Sequence, residues 1–182
     1  MGSAVPADPN CITEKVRGVR VLGRFSRALD KMNKAVEYIV AVMLVIMVIV
    51  IFLQVIFRFI IKSAIPWSEE LARYLLVWTS FLGASIGIKR KGHIGVEAVV
   101  QVLPPGVRTI VSLIANGLSM VFFVVIIVYG YKILKVVSIQ LSPAMEISMA
   151  VPYSAIFVSG LLMLLYSINS FAATLKNLKE GM

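Results

Sequence analysis

The chain is poor in almost everything that soluble chemistry uses. It has one cysteine, Cys11, and one histidine, His93, among 182 residues. A single cysteine excludes an internal disulfide and any cysteine-rich metal site. A single histidine excludes a haem held between two imidazoles of this chain. Charged residues make up only 15%, and nine of them are acidic. None of those nine lies near the centre of a long apolar run. Apolar residues fill the chain instead: 59% are hydrophobic and the mean hydropathy is +0.93. Soluble domains run to roughly 45–50% apolar and about 25% charged. A water-soluble core of this length could not enclose so much apolar surface, which excludes a disordered chain and an ordinary cytosolic enzyme. The composition predicts an all-α integral membrane protein with no enzymatic role, no cofactor and no metal.

A spanning helix needs about 20 apolar residues. Four stretches meet that length, at about 36–61, 69–88, 107–131 and 147–175. The second carries Glu69, Glu70 and Arg73 in its first turns and crosses only if those charges sit at the interface. With the N-terminus inside, 13 of the 18 basic residues fall on the cytoplasmic side, four fall outside and Arg73 lies within a span. The excess of basic residues in cytoplasmic flanks predicts that both termini are cytoplasmic, residues 177–182 forming a short tail.

The net charge of +9 is concentrated ahead of the first span. Arg17, Arg20, Arg24, Arg27, Lys31 and Lys34 step by three and four, while Val21, Leu22, Phe25, Ala28, Leu29 and Met32 occupy another sector. That period predicts an amphipathic helix over 17–34, lying in the inner interface with its basic stripe on anionic lipid. A solvated juxtamembrane coil would satisfy the same charge rule without the period. Residues 1–16 read as a disordered lead-in, and 35–176 as the four-helix transmembrane domain. No aromatic or Gly-rich interleaving points to nucleic acid.

Ionisable residues near a span are functional candidates. Trp67-Ser68-Glu69-Glu70, followed by Arg73, is the densest group. Ser68 as a helix cap, carboxylates at the positive end of the dipole and a Glu69–Arg73 pair four residues apart account for most of it. A second reading makes Arg58, Lys62, Glu69, Glu70, Arg73 and Glu146 a contact layer for another protein. Ser80, Gly83, Ala84 and Gly87 form a seam of small residues that lets a neighbouring backbone approach. On the third span, Thr109, Ser112, Asn116 and Ser119 form a polar stripe able to bond across helices. Gly92 and His93 read as a cytoplasmic turn. With no carboxylate at any span centre, a self-sufficient transporter is disfavoured.

The ordered run Pro66-Trp67-Ser68-Glu69-Glu70, Arg73, Trp78, Phe81-Leu82-Gly83-Ala84 and Gly92-His93-Ile94 resembles the small, DctQ-like membrane subunit of tripartite ATP-independent periplasmic (TRAP) transporters. Ser142-Pro143-Ala144-Met145-Glu146-Ile147, with Pro152 beyond, is similar to the approach to that family's last helix. The resemblance implies a small scaffold and docking subunit beside a large multispan membrane subunit that carries the substrate and ion sites. It further implies a periplasmic substrate-binding protein, an ion gradient (typically sodium), a small anionic solute and a bacterial or archaeal inner membrane. No substrate site is expected in this chain. The rival readings are a homo-oligomeric small transporter and a membrane anchor for a redox or signalling enzyme.

Overall fold

The structure, a computed structural model, describes residues 9–62, 65–91 and 105–180. Gly92 and His93, with the expected cytoplasmic turn, lie outside the described residues. Helix α1 runs from Pro9 to Ile56 and continues as a π-helical turn, Phe57–Ile61. It thus starts inside the stretch expected as a lead-in. Helix α2 is Pro66–Lys91, α3 is Pro105–Val137 and α4 is Ala150–Glu180. Four helices are long and apolar enough to cross a membrane, over Ser26–Ile61, Pro66–Arg90, Ile110–Val137 and Ala150–Ala172. Among the described residues there is no strand, only one isolated bridge between Leu141 and Ser148.

The chain divides into two units, residues 1–35 and 36–182. In the first, Arg27 and Lys31 and Lys34 are exposed on α1. The side chains of Arg17, Arg20 and Arg24 lie outside the described residues, although their backbone is helical.

In the second unit, α4 packs against both α2 and α3. The buried residues of these helices mix small and hydroxyl-bearing side chains with a few large ones. Ala155, Ser159, Gly160, Met163, Tyr166 and Ser167 are buried on α4, and Thr79, Leu82 and Ser85 on α2. Asn116, Phe123 and Gly130 are buried on α3. Lipid tails are as apolar as leucine, so close packing, not removal of apolar area from water, must join such helices. Some of the hydroxyls are tied to their own helices: Ser85 donates to the Leu82 carbonyl at 2.7 Å, Thr79 to Leu75 at 2.8 Å and Ser119 to Ala115 at 2.8 Å. On α4 the hydroxyls of Ser159, Tyr166 and Ser167 are buried without a hydrogen-bond partner among the described residues. A Cβ built on Gly160 would sit 3.1 and 3.2 Å from Ile126 and Ile127 of α3, so glycine sets the closeness of α3 and α4.

Two of the helix ends that differ from the sequence expectation have a visible cause. Helix α3 continues past Tyr131 to Val137 although it carries Lys132 and Lys135. Their ammonium groups lie over the rings of Tyr129 and Tyr131, at 5.2 and 4.7 Å, which lets a long charged side chain stay on an apolar helix. Helix α4 begins at Ala150 instead of 147, because residues 147–149 are engaged in a hydrogen-bonded loop.

Candidate functional site

Among the described residues, hydrogen bonds concentrate at the start of α2 and in the loop between α3 and α4. Pro66 opens α2, where a missing N–H costs nothing and the fixed φ suits a helix. Ser68 does not cap the helix by accepting an N–H. Its hydroxyl donates to the Ile65 carbonyl at 2.8 Å, and its N–H reaches the same oxygen at 3.2 Å.

The two neighbouring glutamates then part. Glu69 faces out and meets Arg73 at 3.7 Å, with both side chains about two-thirds exposed (66% and 68%). An exposed pair of that kind contributes little, since solvent screens it and two long side chains must be held. Glu70, one residue on and about 100° around the helix, is only 6% exposed. Its Oε2 accepts the backbone N–H groups of Ala144 at 2.9 Å and Met145 at 3.0 Å. Its Oε1 accepts the hydroxyl of Tyr74, one turn further along α2. Ser142 is buried against the same carboxylate, within reach of it but without completing hydrogen-bond geometry. Consecutive N–H groups converging on one anion make a backbone nest, filled here by the chain's own side chain.

The loop that supplies the nest is itself sewn together. Ser142 N–H donates to Ile147 O at 2.9 Å and Met149 N–H to Gln140 O at 2.9 Å, on either side of the Leu141–Ser148 bridge. Ser148 Oγ donates to Ser138 O at 2.9 Å. The tip, Pro143 to Glu146, is closed by Glu146 N–H on Ser142 O at 3.2 Å, with Glu146 in the left-handed region at φ 55°. Glu146 is exposed there, at a backbone position that favours glycine.

A second tie joins α2 to α4. Trp78 Nε1 donates to Val151 O at 3.1 Å, at the start of α4. At the far end of α2, Arg90 grips Glu37 of α1 through two bonds, Nε to Oε1 at 3.1 Å and Nη2 to Oε2 at 3.0 Å. Planar guanidinium and carboxylate meet best in this two-point way.

The remaining sequence candidates fall elsewhere. Trp67 is half exposed beside Glu69. Ser80, Ala84 and Gly87 are exposed, and a Cβ on Gly83 or Gly87 would meet nothing within 4 Å. Arg58 and Lys62 are exposed around the π-helical turn, which ends where Lys62 adopts φ 58°. Among the described residues no group of three or more His, Cys, Asp or Glu could hold a metal ion. Tyr74, Met149 and the glycine pair Gly130 and Gly160 were not singled out from sequence. The only signal for Tyr74 was its place four residues after Glu70.

Residues 47–177 match the model of the DctQ component of tripartite ATP-independent periplasmic transporters. The chain belongs to the DctQ family. That match contains Glu70, its loop, helix α2 and all but the last residues of α4. A protein of Haemophilus influenzae assigned as a TRAP transporter small permease protein is 28% identical over 143 residues, or 79% of this chain and 89% of that protein. The C4-dicarboxylate TRAP transporter small permease protein DctQ of Vibrio cholerae is 28% identical over 108 residues, covering 59% of this chain and 47% of its own length. The sialic acid TRAP transporter permease protein SiaT of H. influenzae is 23% identical over 148 residues, 81% of this chain but 24% of SiaT. The DctQ family is one of transporter permease components, not a class of enzymes, and this chain is a multi-pass membrane member of it.

Proposed function

We propose that the chain is the small scaffold and docking subunit of a TRAP-type importer. It joins a large multispan membrane subunit and receives a periplasmic substrate-binding protein. The solute is a small, carboxylate-bearing anion, and an ion gradient, typically sodium, drives uptake. The observation that carries this reading is the match to SiaT, in which a stretch similar to this chain makes up about a quarter of a longer permease polypeptide. A unit joined to a larger permease in one protein is expected to meet such a permease as a separate chain in another.

The distribution of charge supports the placement. Ionisable side chains lie at the ends of the uncharged apolar runs: Glu37 and Arg58 flank the first, Glu69 to Arg73 and Lys89 to Arg90 the second, and Lys132 and Lys135 follow the third. A scaffold needs faces for packing, and carboxylates at mid-membrane belong to the subunit that moves the ion. The excess of basic residues on one side supports cytoplasmic termini in a bacterial or archaeal inner membrane, with the basic stretch of α1 on anionic lipid. Glu69, Arg73 and Glu146 then face the periplasm.

The test is reconstitution in liposomes. Flux of a labelled C4-dicarboxylate or sialic acid should need this chain, its large permease and the binding protein together, and should follow an imposed sodium gradient. Flux through this chain alone, or equal flux when it is left out, overturns the proposal.

A further inference from the structure

The loop tip has the marks of a surface held in one shape. Pro143, Ala144 and Glu146 are exposed, and Glu146 stands at φ 55° although it is not glycine. A non-glycine residue keeps that conformation only when its surroundings determine it. Below the tip, the N–H groups of Ala144 and Met145 point inward, and nothing else in the loop satisfies them; both go to Glu70 Oε2. Tyr74 holds the other carboxylate oxygen, with its hydroxyl also 3.4 Å from Met149 Sδ at the foot of the same loop. One carboxylate therefore joins the second turn of α2 to the tip and, through Tyr74, to the base of the connection between α3 and α4.

We infer that Glu70 is the positioning residue of the periplasmic face: it fixes the Pro143–Glu146 tip so that the exposed side of the tip is presented to a docking protein in one conformation. Glu70 itself does not touch that protein, because its oxygens are occupied from within the chain. Glu69, its neighbour, lies on the exposed side and has no part in the tip. The role in docking rests on the function proposed above. The positioning itself does not, and the two are read separately.

Hydrogen exchange on the purified chain in detergent reads the positioning. Glu70→Ala should speed exchange of the Ala144 and Met145 amides by at least about tenfold while leaving the interior of α4 unchanged. Glu70→Gln should recover most of the protection, because the amide oxygen of glutamine can accept both N–H groups and Tyr74 can turn to accept from its NH2. If Glu70→Ala does not yield folded protein, Tyr74→Phe, which loosens the carboxylate without removing it, should still raise exchange at residues 144 and 145 selectively. Unchanged exchange at these two amides in Glu70→Ala, or in Tyr74→Phe where Glu70→Ala does not fold, overturns the inference.

The reconstituted transporter reads the consequence. Glu70→Ala should raise the concentration of loaded binding protein needed for half-maximal uptake several-fold, with maximal rate and amount of assembled complex little changed. Glu70→Gln should return it towards the original value. If the unaltered transporter shows no saturable dependence on binding protein, the docking function fails and the positioning is judged by exchange alone. If that dependence is present and Glu70→Ala leaves the half-maximal concentration unchanged, the positioning has no role in docking.

Discussion

Glycines lie on two helix faces of this chain in opposite circumstances. Gly160 on α4 faces Ile126 and Ile127 so closely that a Cβ would press on both, and Gly130 faces the Phe157 backbone across the same contact. Gly83 and Gly87 on α2 look onto open space. Among the described residues it is Gly130 and Gly160 that meet a neighbouring helix, yet only Gly83 and Gly87 have the spacing that lets helices approach. A stripe of small residues marks a permitted close approach but carries no information about what approaches. In the first case the partner is α3; in the second the chain supplies none among the described residues.

The sharpest way to break this comparison is the same substitution on both faces. Gly160→Leu forces a large side chain between α3 and α4 and should destabilise the chain by about 1–3 kcal/mol, as overpacked cores do. A fall of several degrees in the apparent Tm in detergent, with loss of monodisperse protein, is the expected reading. Gly83→Leu adds the same group where nothing stands in its way. It should change the isolated chain by less than about 0.5 kcal/mol. Equal losses at both positions would mean that α2 uses its small face inside the chain after all.

Between those extremes stands the polar tie on the packed side of α2. Trp78→Phe keeps an aromatic ring of smaller size and removes the N–H that reaches Val151 O. Hydrogen bonds between helices in membranes average about 0.6 kcal/mol, so a shift near that size is expected in unfolding measured in detergent. Val151 O also accepts Ser154 Oγ at 2.6 Å and is not left bare by the change, which keeps the effect small. A loss as large as that of Gly160→Leu would show that the tie, not the packing, sets the join of α2 to α4.

These contrasts also show what the sequence could and could not disclose. The four spans were legible because uncharged apolar runs of that length have few alternatives in lipid. The start of α4 was not, since Ile147 and Met149 are as apolar as the helix that follows and only the loop's hydrogen bonds hold them out of it. The Glu69–Arg73 pair was legible from its spacing of four. The inward turn of Glu70 was hidden, because its partners are backbone N–H groups more than 70 residues away, and a backbone donor leaves no mark in a sequence. Gly130 and Gly160 were hidden for a related reason: each sits alone on its helix, and their meeting exists only once α3 and α4 are paired.

The smallest expected effect falls on the most conspicuous motif. Exchanging the charges, Glu69→Arg with Arg73→Glu, retains an ion pair four residues apart but reverses its order against the helix dipole. The pair is 3.7 Å apart and about two-thirds exposed, so water and salt already screen most of what it offers. The exchanged chain should therefore fold and melt like the original, within a few tenths of a kcal/mol. If this face reads charge in the docking role proposed for it, the same double variant should still weaken uptake by raising the concentration of binding protein required, most visibly at low salt. Stability lost without any change in uptake would reverse that assignment, making Glu69 and Arg73 internal ties and leaving Glu146 to carry the exposed charge of that face.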